Sequence, residues 1–146
     1  MKTVIQNGLI VDGSGTPRFL GDILIEKGII RKVGVLESGQ IEGSQRIDAQ
    51  KKIVCPGFID LHRHCDLAVL SEGFGEIELR QGITTCLCGN CGMAPVPNLP
   101  AFREELFHYL EPCLGKAGDL ACSTHRQYLE LLQKTELPLN IGCLAG

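Results

Sequence analysis

The stretch that most constrains the fold is a nearly continuous apolar run, residues 53–61, which leads directly into His62 and His64. A short run of this kind predicts a strand covered on both faces, as in a parallel sheet. Pro56 cannot donate a hydrogen bond to a neighbouring strand, so pairing is expected to begin after it. Because alternate side chains of a strand share a face, the two imidazoles are expected on one side and Arg63 on the other. Two histidines so placed are half of a metal site.

A second stretch predicts the position of a further metal ligand. Residues 82–88 are β-branched and apolar, which predicts another buried strand, and Cys91 follows in a loop rich in glycine and proline, residues 89–100. Loops after strands commonly carry functional residues. Cys91 is therefore expected to converge with His62 and His64. Imidazole nitrogen and thiolate sulfur suit zinc, and fewer than four protein ligands leave room for a water.

The rest of this half of the chain alternates helices with strands. Helices are predicted over residues 76–81, over residues 100–111 with Pro112 as the stop, and from Thr124, whose side chain fits a capping box. Residues 137–145 predict a third buried strand. Strand, helix, strand, helices, strand is the rhythm of a parallel α/β fold.

The N-terminal third predicts short strands and turns. Asn7-Gly8, inside the apolar segment 3–11, is a strong hairpin signal, and Lys27-Gly28 predicts a tight turn between strands 21–26 and 29–35. A small antiparallel sheet is expected here, with a structural role and no catalytic constellation.

Charge and composition exclude several classes of function. The net charge is −3 and the isoelectric point about 5.8, so no basic field for nucleic acid or anionic lipid exists. No apolar run is long enough to span a membrane, and the N-terminus does not have the pattern of a signal peptide. The eight cysteines are therefore expected to be reduced thiols in a cytoplasmic protein.

The individual site candidates have structural alternatives. A His-x-His pair alone is more often two ordinary surface or core histidines than a metal site. Asp60 and Asp66 flank the pair, and Asn90 precedes Cys91, which makes these three candidates for orienting the ligands or contacting a substrate.

Most of the other cysteines and histidines are expected to be structural. The thiols of Cys55, Cys86, Cys88 and Cys143 lie in apolar strands and are predicted to be buried, and Cys65 is ambiguous. Cys88 and Cys91 form a Cys-x-x-Cys motif. A redox motif of this kind needs to lie at the start of a helix, and the prolines that follow Cys91 argue against a helix there. His108 and His125 are predicted to lie on helices, at the surface or partly packed.

The sequence around these residues resembles a known family. Residues 55–64, Cys-Pro-Gly-Phe-Ile-Asp-Leu-His-Arg-His, are similar to the first barrel strand of the amidohydrolase superfamily. Gln-Gly-Ile-Thr-Thr at 81–85, followed by Cys-Gly-Asn-Cys-Gly at 88–92, resembles the D-aminoacylase branch, the N-acyl-D-amino-acid deacylases.

The resemblance implies a fold and a metal site. The fold is α/β: residues 1–52 are part of an accessory antiparallel β-sandwich, and residues 53–146 are about three βα units of a TIM barrel. His62, His64 and Cys91 are implied to be ligands of one tightly bound Zn²⁺, with a second, weaker site. The implied reaction is hydrolysis of the amide of N-acyl-D-amino acids, with cyclic amides, as in dihydroorotases, as another substrate class.

The resemblance also implies further site residues that are not among residues 1–146. Two further histidines and a general acid/base aspartate are expected beyond Gly146, so the 146-residue chain alone is expected to be inactive and to be an N-terminal portion of the enzyme. Its expected partners are a small N-acyl amino acid and the remainder of the barrel, or a second copy through open sheet edges. A non-catalytic zinc module using Cys88 and an interaction fragment stay open as alternatives.

Overall fold

The computed structural model describes residues 1–145 and divides them into two compact units, the first of which is Met1–Pro56. This unit is a five-stranded sheet. Its strands are β1 (Lys2–Ile10), β2 (Phe19–Glu26), β3 (Ile29–Gly34), β4 (Gln45–Asp48) and β5 (Ile53–Val54), with a one-turn helix, α1 (Ser38–Ile41), before β4. The order is β3-β2-β1-β4, and β5 pairs with the far end of β1.

The sheet of the first unit is mixed, whereas an antiparallel sheet was predicted. β2 and β3 pair antiparallel, but β4 and β5 both run parallel to β1. Ile53 and Val54, predicted to start the strand that leads to the histidines, instead pair with Leu9 and Ile10. The apolar run is therefore divided between two sheets, because Pro56 interrupts it where no ladder hydrogen bond can be donated.

The predicted hairpin at Asn7-Gly8 is wrong, because β1 runs straight through this pair. Asn7 has a φ of 62°, and the register of β1 against β2 shifts between Ile5 and Gly8. The left-handed tendency of Asn-Gly thus produces a bulge instead of a turn. Asp22 on β2 supports it by accepting a hydrogen bond from the Asn7 N–H at 2.9 Å. The turn at Lys27-Gly28 is confirmed, since β2 and β3 pair directly on either side of it.

The second unit begins at Gly57 and is built on a three-stranded parallel sheet. Its strands, in spatial and chain order, are β6 (Phe58–Asp60), β7 (Ile83–Cys88) and β8 (Asn140–Cys143). The helices between them are α2 (Glu76–Arg80), α3 (Arg103–Leu114) and α4 (His125–Lys134). The predicted alternation of strands and helices in this half is therefore present in the structure.

Two local predictions in the second unit need correction. Pro112 does not end its helix: α3 continues to Leu114, because proline in the last turn removes only one hydrogen bond and Gly115 then caps the helix by donating to Glu111 O. The strand predicted to be covered on both faces is shorter and more open than expected. Phe58 and Ile59 are 57% and 61% exposed, and within residues 1–145 β6 is an edge strand that pairs with β7.

The main core of the second unit forms between its helices and the segment after the histidines. It contains Leu67, Val69, Val96, Phe107, Leu110, Leu114, Leu120, Tyr128 and Leu132. The Tyr128 hydroxyl donates a 2.6 Å hydrogen bond to the carbonyl oxygen of Asp66. Helix α4 is thus tied to the chain two residues beyond His64. Among residues 1–145, no helix is both long and apolar enough to cross a membrane.

Candidate metal centre

The histidine pair is positioned by a turn at the end of β6. The strand stops at Asp60, whose Oδ1 accepts a 3.1 Å hydrogen bond from the His62 N–H. A carboxylate that binds the backbone two residues on bends the chain. The predicted continuation of the strand through His64 is therefore wrong, but the two rings remain neighbours. Their centroids are 5.2 Å apart at an interplanar angle of 72°.

Arg63 anchors the segment between the two histidines. Its backbone N–H donates to Leu87 O on β7 at 3.0 Å, which holds the turn against the neighbouring strand. Its guanidinium forms an ion pair with Glu78, a carboxylate only 5% exposed on α2. Sequence reasoning did not identify Glu78, because its place in a short polar helix carries no sign of a distant partner.

Cys91 is presented by a sharp turn immediately after β7. Gly89 and Cys91 have φ values of 78° and 59°, so the chain turns through the left-handed region twice within three residues. The side-chain amide of Asn90, which is 8% exposed, donates to Leu87 O at 2.8 Å and to Arg63 O at 3.4 Å. Asn90 thus ties the cysteine turn to the histidine segment, and the Cys91 thiol is left exposed.

The three residues nominated from the sequence meet in space. One ligand atom from each of His62, His64 and Cys91 lies within 4.8 Å of the other two. Cys91 Sγ and His62 Nε2 are 3.3 Å apart. Ligands of one tetrahedral zinc are roughly 3.3–3.6 Å apart, from Zn–N and Zn–S bonds of about 2.1 and 2.3 Å.

The donor set fits a zinc ion in chemistry as well as in spacing. It combines two imidazoles with a thiol, which suits Zn²⁺ better than the hard cations Mg²⁺ or Ca²⁺. The buried Nδ1 of His64 has no hydrogen-bond partner among residues 1–145.

The three flanking candidates occupy different places. The side chains of Asp60 and Asn90 form hydrogen bonds with backbone groups near the ligands and so hold the two turns in place. Asp66 is only 1% exposed, and burial raises the pKa of its carboxyl group. Asp66 is not a member of the group formed by His62, His64 and Cys91.

The other cysteines and histidines mostly follow their predictions. Cys86 and Cys88 are buried on β7, and Cys143 is half-buried on β8. Cys55 is a correction: it is exposed, because it lies between β5 and β6 and belongs to neither strand. His108 and His125 lie on α3 and α4, as predicted.

Comparison with known proteins identifies the relatives of this chain. It is 39% identical over 97 residues to an N-acyl-D-glutamate deacylase of Alcaligenes xylosoxydans xylosoxydans, a match that covers 66% of this chain and 20% of the relative. It is 29% identical to a D-aminoacylase of the same organism over 98% of this chain and 28% of the relative. No protein-family model matches the chain.

Solved structures agree with the sequence relatives. A D-aminoacylase studied for its binuclear metal centre matches 99% of this chain with a TM-score of 0.80 and 30% identity. The N-acyl-D-glutamate deacylase of Bordetella bronchiseptica, in complex with zinc and a phosphonate mimic of the tetrahedral intermediate, matches 99% with a TM-score of 0.73 and 31% identity. This chain is a homologue of the D-aminoacylases.

The D-aminoacylase homologues are amidohydrolases, enzymes that cleave C–N bonds, and the solved ones contain metal. The chain spans less than a third of their length, 29% in both solved structures. A dihydroorotase of Caldanaerobacter subterraneus also matches, with 33% identity over 122 residues, 81% of this chain and 27% of the relative.

Proposed function

We propose that His62, His64 and Cys91 are zinc ligands in a hydrolase that cleaves the amide bond of N-acyl-D-amino acids. The observation that carries the proposal is the meeting of two imidazoles and one thiol at the ends of adjacent parallel strands. The carboxyl ends of such strands are where barrel enzymes place their active sites. The D-aminoacylase homologues supply the substrate class.

The proposed chemistry follows from the donor set. A zinc ion held by His62, His64 and Cys91 would supply a water of lowered pKa and polarise the substrate carbonyl. His62 and His64 bind as neutral imidazoles, each through one ring nitrogen. Cys91 binds as a thiolate, so its Sγ proton is released to solvent when the metal enters. The exposure of Cys91 and His62 leaves one side of the centre open to substrate.

The neighbouring residues hold this arrangement. The Asp60 turn sets the direction of His62, and the Asn90 amide holds the backbone on either side of the centre. The ion pair between Arg63 and Glu78 keeps the arginine side chain away from the metal, where a positive charge would weaken cation binding.

The fold and domain assignment belong to the same proposal. Residues 1–52 are proposed to be part of an accessory β-sandwich and residues 53–146 the start of a TIM barrel in a cytoplasmic enzyme. The remaining ligands, the general acid/base aspartate and a second, weaker metal site are proposed to come from other barrel strands. A binuclear centre in a homologous D-aminoacylase supports the second site.

Other functions are less well supported. Dihydroorotase chemistry on cyclic amides has two relatives in its favour, but each covers 81% of this chain, whereas the D-aminoacylase covers 98%. A non-catalytic zinc module would need Cys88 as a ligand, yet Cys88 is fully buried and 3.2 Å from the sulfur of Cys143. An interaction fragment would associate through β6, whose side chains are exposed.

Binding of a phosphonate analogue of N-acetyl-D-glutamate to the zinc-loaded chain, measured by calorimetry, tests the proposal. An open coordination position predicts binding that requires zinc and is lost in Cys91→Ala. A closed, non-catalytic zinc site would bind zinc but not the phosphonate, and preference for an analogue of dihydroorotate would favour the cyclic-amide function. Turnover of N-acetyl-D-amino acids by residues 1–146 would contradict the assignment of essential groups to other strands.

A further inference from the structure

A group of buried thiols lies next to the candidate metal centre but takes no part in it. Cys65, Cys86 and Cys88 are 3%, 1% and 0% exposed and pack together with Leu139, and Cys143 packs against them from β8. We call these four cysteines the thiol cluster. The proposed metal chemistry uses none of them, so their proximity calls for a separate explanation.

Within the thiol cluster, one pair is aligned by the sheet. β7 and β8 are parallel neighbours, and their register places Cys88 directly beside Cys143. The Leu144 N–H donates to Cys88 O at 2.9 Å, which fixes the two backbones at this level. The two Sγ atoms are 3.2 Å apart. The pairing is thus set by the strand ladder and does not depend on a mobile loop.

The separation of the sulfurs favours a covalent bond over a shared metal. Two thiolates on one tetrahedral zinc are roughly 3.8 Å apart, because each Zn–S bond is about 2.3 Å. The two sulfurs of Cys88 and Cys143 are already closer than that. A disulfide has an S–S bond of about 2.05 Å, so closing it requires an approach of only about 1.1 Å.

We propose that Cys88 and Cys143 form an oxidisable dithiol that a peroxide converts into a disulfide linking β7 to β8. The half-buried Cys143 reacts first, because Cys88 is fully buried. Its sulfur attacks hydrogen peroxide, an S–O bond forms, the O–O bond breaks, and water leaves. The sulfur of Cys88 then attacks that of Cys143, the S–S bond forms, the S–O bond breaks, and a second water leaves. The two thiols lose two electrons and two protons in total.

Cys65 is the competing partner within the thiol cluster. Its buried side chain packs in the same group as Cys88, so a bond between these two is the main alternative. Cys65 is only 3% exposed and lies outside the strand ladder, whereas Cys143 is half-buried and in register with Cys88. A peroxide therefore reaches Cys143 before Cys65.

The test is peptide mapping of the chain after limited treatment with hydrogen peroxide. Cys55, Cys91 and Cys113 are exposed, so a background variant with serine at all three removes competing thiols. After blocking of free thiols and trypsin digestion, the proposal predicts a reducible link between peptides 81–103 and 135–146. Fragmentation of the linked peptides shows whether Cys88 or Cys86 carries the bond. This result does not depend on the folding of any further variant.

Two matched variants complete the experiment. In that background, Cys88→Ser should abolish the link and Cys86→Ser should retain it, although both cysteines lie on the same strand and in the same peptide. The proposal is overturned if the link persists in Cys88→Ser or maps to Cys86. It is equally overturned if the main product joins peptides 64–80 and 81–103, or if Cys122 is oxidised while no link forms.

Discussion

At the scale of single residues, the Asn90 amide is the contact that joins the two halves of the candidate centre. It donates to Leu87 O and to Arg63 O, and so holds the turn of Cys91 against the segment between the histidines. A buried amide of this kind stabilises the fold and also fixes the distance between ligands. The two effects can be separated experimentally.

Replacement of Asn90 by alanine should weaken both stability and metal binding. Loss of two hydrogen bonds at a buried position predicts a decrease of roughly 1–2 kcal/mol in the free energy of unfolding. Misplacement of Cys91 predicts a zinc affinity lower by about tenfold, as for other residues that support metal ligands. Urea unfolding and zinc titration against a chromogenic chelator measure the two effects.

Asn98 provides a matched control for Asn90. Its amide also bridges two backbone carbonyls, donating to Pro95 O at 2.6 Å and Cys122 O at 2.9 Å, but it contacts none of the three ligands. Asn98→Ala also removes the oxygen that accepts a hydrogen bond from Arg103 Nε, so it should lower stability by at least as much and leave zinc affinity unchanged. Equal zinc affinity in both variants would contradict the role given to Asn90.

The ligand candidates were accessible from the sequence because residue type and spacing carried the information. His62, His64 and Cys91 were nominated from two short motifs, and the structure brings them together. The sequence did not reveal which contacts bring these three residues together. The Asp60 turn, the left-handed Cys91 and the partnership of Arg63 with Glu78 depend on backbone geometry and on contacts between distant segments.

At the scale of elements, helix α4 begins with a complete capping box. Thr124 Oγ1 accepts from the Gln127 N–H at 3.2 Å, and Gln127 Oε1 accepts from the Thr124 N–H at 3.1 Å. Thr124→Ala should lower the free energy of unfolding by about 1 kcal/mol. Thr124→Ser, which keeps the acceptor oxygen, should retain most of the stability. Urea titration checks both, and equal losses in the two variants would show that the cap contributes nothing.

The junction between β7 and the Cys91 turn requires glycine at position 89. Gly89 has a φ of 78°, and a Cβ atom there would overlap the carbonyl oxygen of Leu144. Gly89→Ala should therefore separate the ends of β7 and β8 and reduce the yield of folded protein severely.

Gly92 is the control for that substitution. It has a φ of 67° in the same turn, but nothing lies within 4 Å of where its Cβ would be. Gly92→Ala should cost only the left-handed conformation, about 1–2 kcal/mol. Thermal unfolding of the two variants compares them, and equal stability would rule out the clash at Leu144.

Elements defined by local sequence were predicted well, and those defined by pairing were not. The capping box of α4 and the apolar strand β7 are local features, and both are confirmed. The direction of β4 and β5 against β1, and the use of Asn7-Gly8 as a bulge, are decided by strands far apart in the chain. Local propensity could not reveal either.

At the scale of the whole molecule, buried weak acids make stability depend on pH in the alkaline range. Burial raises the pKa of the Cys86 thiol from 9.0 to about 11. The pKa of Cys88 is raised by its hydrogen bond to Cys143 and by burial, and burial raises that of Tyr128. The folded state therefore keeps protons that the unfolded state loses.

The contribution of these three groups to stability should consequently be constant well below pH 9 and fall as the pH rises from 9 towards 11. The unfolded state binds fewer protons in this interval, so the free energy of unfolding decreases with pH. Urea titrations at pH 8 and pH 10.5 under reducing conditions measure the change. Cys86→Ala should reduce the dependence of the free energy of unfolding on pH, while Cys113→Ala, at an exposed position, should not. A pH-independent midpoint would contradict the burial of these groups.

Zinc binding by the reduced chain at pH 7, measured by competition with a chromogenic chelator, decides whether His62, His64 and Cys91 form one metal centre. The wild-type chain is expected to bind one zinc ion, and Cys91→Ala should bind at least about 100-fold more weakly because a thiolate ligand is lost. Cys88→Ala and the exposed control Cys55→Ala should bind as the wild type does. Undiminished binding by Cys91→Ala, or an equal loss in Cys88→Ala, would contradict a centre formed by His62, His64 and Cys91.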